Sequence, residues 1–258
     1  MQKEAWTYTM TAMILGAGGL MIRWLQCESV FDKETGLPVQ GAALSVIMGI
    51  VLVMIAAVLW WLSGRVGCAG SSGEPEEALA RPNKEVAFLI VFAAVICGAG
   101  SLLMFFTEST ILMRIVALLG LLAAFCFAAT LFLPGWGGFG ALLSVIPVLF
   151  QALWLVLFYK TNVVNPIVWS YCVQILAITA CLGAAFRVCG YMFYRINPRK
   201  AVFSCGLALA FCLCVITDNA PAAYRLMYAG WGVGFGAVGW TIIADFTPPE
   251  IEDEEEYY

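Results

Sequence analysis

The chain has 258 residues, of which 62% are hydrophobic and only 12% charged, about half the charged fraction of ordinary soluble domains. Too few charges remain to build a polar shell, which excludes a soluble globular protein and makes lipid the solvent. The formal net charge of −4 misleads, because six of the 17 acidic residues fall within 250–256 and the 13 basic residues face only the other 11.

The first apolar run ends at Leu25, and no small-residue cleavage site closes it before Arg23-Trp24, so it reads as a retained span rather than a signal peptide. The loop that follows carries Asp32, Glu34, Gly36 and Pro38. Asp32 and Gly36 suit a tight polar turn, favoured over a cation or partner site because no further oxygen ligands stand nearby. Span two covers 42–62 and ends in Trp60-Trp61, as an interfacial aromatic belt would. A hydrophilic segment, 63–85, carries Glu74, Glu76, Glu77, Arg81 and Lys84.

Spans three (86–106) and four (111–133) are split only by Thr107-Glu108-Ser109-Thr110. Each is long enough to cross about 30 Å of hydrocarbon at about 1.5 Å rise per residue, and four polar residues cannot travel back, so the pair is a membrane hairpin. Span five (139–158) holds Pro147, Gln151 and Trp154; span six (166–193) holds Trp169, Tyr171 and Gln174. Buried amides need partners in lipid, so Gln151 and Gln174 are expected to face inward. With Trp154, Trp169 and Tyr171 they form a candidate interior polar pocket, although interhelical bonding is the favoured role.

Span seven is short (201–217), and span eight (221–244) recurs in glycine at Gly230, Gly232, Gly234 and Gly236, as in small-residue helix packing faces. The expected architecture is all-α: a polytopic transmembrane helical bundle of about eight spans forming one domain, 1–245, followed by an acidic disordered tail, 246–258. Eight spans put both ends on one side. That side carries Lys3, Arg65, Arg81, Lys84, Arg195, Arg199 and Lys200, against Arg23, Lys33, Arg114, Lys160 and Arg225 opposite. The positive-inside rule therefore places both termini in the cytoplasm.

An internal echo suggests two four-span halves in parallel. Pro82-Asn83-Lys84 and Pro198-Arg199-Lys200 each open a span, and Glu108 with Arg114 is matched by Asp218 with Arg225. The outer face would then carry two acid–arginine couples with Arg23 at the same depth. This set is a candidate anion or salt-bridge cluster, with local pairing favoured over ligand binding.

Arg23-Trp24-Leu25, the stretch from Phe31 through Asp32, Lys33, Glu34, Thr35, Gly36, Leu37 and Pro38 to Val39, and the small-residue start Gly41-Ala42 together resemble an uncharacterised family of bacterial multi-pass inner-membrane proteins. The resemblance covers about the first quarter of the chain. It implies a bacterial cytoplasmic membrane and no activity, substrate or site.

Catalytic chemistry is scarce. Histidine is absent, the five lysines flank the apolar runs, and no Asp or Glu lies near a span centre. Most of the ten cysteines sit inside apolar runs without metal-ligand spacing, as small hydrophobes do. No cofactor, metal or nucleic acid is expected. The leading expectation is a non-catalytic membrane component binding lipid, or a protein partner through span eight or the acidic tail. The alternative is a facilitator of a small neutral or anionic solute, and a lipid-modifying enzyme ranks third.

Overall fold

The computed structural model describes residues 2–29, 43–66, 84–132, 137–164, 168–193, 197–218 and 220–244. Eight helices and no strand occur among them: α1 (Gln2–Ser29), α2 (Ala43–Arg65), α3 (Lys84–Thr107), α4 (Ile111–Phe132), α5 (Gly137–Asn162), α6 (Val168–Met192), α7 (Pro198–Val215) and α8 (Ala222–Ala244). All eight are long and apolar enough to cross a membrane, which marks a multi-pass membrane protein. Helices are what such sequences must form, because in hydrocarbon each backbone N–H and C=O needs a partner within its own segment. The turn around Asp32 and Glu34, most of the hydrophilic 63–85 segment and the tail 246–258 lie outside the described residues.

The bundle is organised around α8. Helices α3 and α7 pack closest to it and α1 and α6 touch it, while α4 and α5 reach it with aromatic rings. In sequence α3, α4, α5, α6, α7 and α1 each pack on the next, and α2 lies outside on α1 and α7. Burial follows this plan. In the most apolar stretch of α8, 78% of residues are buried inside the protein, against 22% for α2. The outer helix must therefore be apolar all round, whereas α8 can carry glycine and aromatic hydroxyls.

Glycine sets the two tightest contacts. A Cβ on Gly230 would lie 2.8 Å from the Cys97 backbone N and 2.9 Å from the Ala93 carbonyl of α3. A Cβ on Gly232 would lie 2.7 Å from Cys212 Cβ, and one on Gly236 3.0 Å from Leu209, both on α7. Gly230 and Gly234 thus face α3 and the Phe127 ring of α4, while Gly232 and Gly236 face α7. All four are buried within the chain, so the face considered for a protein partner is occupied by the protein's own helices. A similar contact went unread at Gly16, where a Cβ would lie 3.0 Å from the Ala210 backbone and bar the approach of α1 to α7.

The two-halves expectation is not matched by the packing. A parallel repeat relating each helix to the fourth one after it would copy the α3–α8 contact as α7–α4 and the α1–α7 contact as α5–α3. Neither copy is a close helix pair among the described residues. The reason is α8 itself, which takes a central position that α4 does not share.

Candidate functional site: ring column and polar rim

At the end of the bundle where α1 finishes and α8 begins, Arg23 and Asp218 form an ion pair, with 1% and 2% exposure. Arg23 Nε donates to Asp218 Oδ1 at 2.6 Å and Nη2 to Oδ2 at 3.0 Å, a forked arrangement that matches a guanidinium to a carboxylate. Its third nitrogen, Nη1, donates to Gln26 Oε1 at 2.9 Å, and Gln26 Nε2 donates to Ser45 Oγ at 3.1 Å. Gln174 Nε2 adds a second donor to Asp218 Oδ2 at 2.8 Å. One connected network therefore ties α1, α2, α6 and the α7–α8 turn together. Two charges removed from water are tolerable here because the pair and its amides neutralise and hydrogen-bond each other.

This arrangement corrects the expected acid–arginine couples. Asp218 pairs with Arg23 and not with Arg225, which is exposed on the next face of α8 from buried Tyr224. Arg114 Nε donates to the main-chain carbonyl of Glu108 at 2.8 Å, whereas the Glu108 carboxylate accepts from Tyr224 Oη at 2.8 Å. The five residues of the proposed cluster are split between separate jobs. None of the nitrogens of Arg23 remains unengaged to fork onto an external anion.

The expected interior pocket is rearranged too. Gln174 belongs to the rim network, Tyr171 is buried at the start of α6, and the Trp169 side chain lies outside the described residues. Gln151 and Trp154 lie on the inward side of α5 with Phe150, and the rings there meet α8 rather than α6. Phe150 stacks on Trp154 at 5.7 Å and on Trp231 at 5.8 Å between ring centroids. Trp154 in turn lies 5.2 Å from Tyr228 and 6.2 Å from Tyr224, and Trp231 stacks on Phe235 at 5.5 Å. A column of rings runs from the Glu108–Tyr224 bond at the bundle end towards mid-membrane.

Several polar atoms in and beside this column are orphaned. Ser101 Oγ, both polar atoms of the Gln151 amide, Trp154 Nε1, Tyr228 Oη and Trp231 Nε1 have no hydrogen-bond partner among the described residues. Their residues are each at most 1% exposed. Ser101 joins the group from α3, since its Oγ and the Phe150 ring both lie over Gly120. An unsatisfied buried polar group costs about 1–3 kcal/mol, and Trp154, Tyr228, Trp231 and Ser101 are linked through shared ring neighbours, whereas Gln151 lies on the side of α5 where Ser144 meets Cys189 of α6. Of these, Ser101, Tyr228 and Trp231 were not singled out from the sequence. A signal was present, because Tyr224, Tyr228, Trp231 and Phe235 repeat at spacings of four, three and four, which lines one helix face with rings.

The remaining chemistry is sparse. Among the described residues no three His, Cys, Asp or Glu side chains come together as a metal site. Cys181 and Cys212 touch across α6 and α7 with sulfurs 3.3 Å apart, and all the described cysteines, these two included, are free thiols, most of them buried. No protein-family model, curated protein or solved structure is matched by this chain.

Proposed function

We propose that the protein is a non-catalytic component of a membrane that binds a lipid or another small uncharged molecule inside its own helix bundle. The observation that carries this reading is the set of orphaned polar groups among stacked rings between α5 and α8. A charged ligand is disfavoured there, because the buried guanidinium and carboxylate at the rim already neutralise each other. The bacterial cytoplasmic membrane, with both ends cytoplasmic, is the setting we propose, supported by the basic residues flanking one set of helix ends.

The test is extraction of the detergent-purified protein into organic solvent, followed by mass spectrometry of what it carried. A neutral molecule at near one equivalent, depleted in Phe150→Ala, supports the reading. Recovery of bulk membrane lipid alone, in equal amounts from both proteins, refutes it.

A second reading, facilitated passage of a small neutral solute, is favoured by one feature: the ring column reaches from the bundle end towards its middle. Uptake into reconstituted vesicles distinguishes passage from binding alone.

A further inference from the structure

We propose that the end of the bundle opposite Arg23, where α2 finishes and α7 begins, binds the phosphate of an anionic phospholipid. This site is separate from the ring column inside the bundle. Two guanidiniums meet there on one turn of α2. Arg65 Cζ lies 3.8 Å from the centre of the Trp61 ring, and Arg199 Cζ of α7 lies 4.9 Å from that of Trp60. Trp60 is held in turn by Phe203 of α7, edge to face at 5.1 Å between ring centroids. Gly64 permits the approach, since a Cβ there would lie 2.8 Å from Arg199 Nη2. Arg199 therefore rests against the residue next to Arg65.

The charges at this end are unbalanced. Each guanidinium spends a flat face on a ring, which leaves its edge N–H groups to donate. Neither Arg65 nor Arg199 meets a carboxylate among the described residues. The described acids at this end are Glu4 and Glu85, against Lys3, Lys84, Arg187 and Lys200 besides the two arginines. The C-terminal end of α2 supplies about half a negative charge, too little to balance two fixed cations. A phosphate supplies more, and guanidiniums hold it through forked hydrogen bonds.

The surface alongside selects a lipid over a free anion. Trp60, Trp61, Val53 and Met54 are exposed on the face of α2 that turns away from the bundle. On that face Val46, Gly49, Ile50, Val53 and Met54 line an open apolar hollow of about 480 Å³. Met54 lies eleven residues before Arg65. That is roughly 16 Å along the helix, about half the thickness of the hydrocarbon. A headgroup at the guanidiniums thus leaves its acyl chains on exposed apolar surface, which inorganic phosphate cannot use.

The test is native mass spectrometry of the full-length protein in neutral detergent, offered equal amounts of phosphatidylglycerol and phosphatidylcholine with the same acyl chains. The first lipid retained is expected to be phosphatidylglycerol by about tenfold or more, the worth of one charge-assisted hydrogen bond. Arg65→Gln with Arg199→Gln should bring the two lipids near parity. Lys3→Gln with Lys84→Gln removes as much charge from the same end and should keep the preference. Should the arginine double variant fail to fold, Arg65→Gln alone, at an exposed side chain, should still reduce it. Equal loss in the arginine and lysine variants means attraction to net charge only, and overturns the site. Full displacement by inorganic phosphate overturns the lipid assignment. So does a preference that appears only when Glu74, Glu76 and Glu77 become Gln, because the chain's own acidic segment then fills the place.

Discussion

Asp218 opens the last span seven residues before Arg225, yet its carboxylate closes on Arg23, 195 positions away in the chain. The turn between α7 and α8 sits over the bundle, where α1 and α6 present Arg23 and Gln174, while Arg225 leaves on the outer face of α8. Removing one partner of a buried pair strands the other charge. Asp218→Asn should therefore lower stability by about 3–5 kcal/mol, read as thermal unfolding in detergent. Replacing both, with Arg23→Met and Asp218→Leu, should recover much of that loss. Arg23→Lys should behave as a damaging change, because an ammonium cannot make the fork.

Tyr224 and Arg225 should respond oppositely to mutation. Tyr224→Phe deletes the hydroxyl that donates to Glu108 and is expected to cost about 1.5–3 kcal/mol, the usual worth of a hydrogen bond to a charged group. Arg225→Gln should change unfolding by less than about 0.5 kcal/mol. A large loss in the second variant would mean that the sequence-based pairing with Asp218 was right after all.

Glycine substitutions sort by neighbour rather than by helix. Gly230→Ala places a methyl group against the α3 backbone, which cannot move aside as a side chain can, and should cost about 1–3 kcal/mol through overpacking. Gly18→Ala meets nothing within 4 Å and should stabilise α1 by about 0.5–1 kcal/mol through helix propensity alone. Measuring the pair in one detergent separates packing from propensity.

Gln151 carries two buried polar atoms without a partner, so its replacement has a definite sign in stability. Gln151→Leu removes two orphaned polar atoms from the core and should raise the ligand-free stability by about 1–3 kcal/mol. Lowered stability on this change would show that the amide is satisfied in the native membrane by a fixed partner.

Composition and run length were enough to determine eight membrane helices. Lipid demands internally bonded backbone, and only apolar stretches of sufficient length can supply it. The polar turn at Thr107–Thr110 likewise fixed the α3–α4 hairpin, because four residues cannot recross a bilayer. The glycines of α8 marked a packing face, but which helices they touch was not legible. Spacing along one helix says which residues share a side and nothing about what lies opposite.

Only the tertiary structure decided that Arg23 belongs to Asp218, that the Trp154 ring meets α8, and that α8 occupies the centre. The sequence by itself determined the medium and the number of crossings, which depend on local hydrophobicity summed along each segment. Partners were settled by the order in which eight nearly interchangeable apolar rods surround one another. That order rests on contacts between residues far apart in the chain, at the few positions where a glycine, a ring or a buried charge admits one neighbour and refuses the rest.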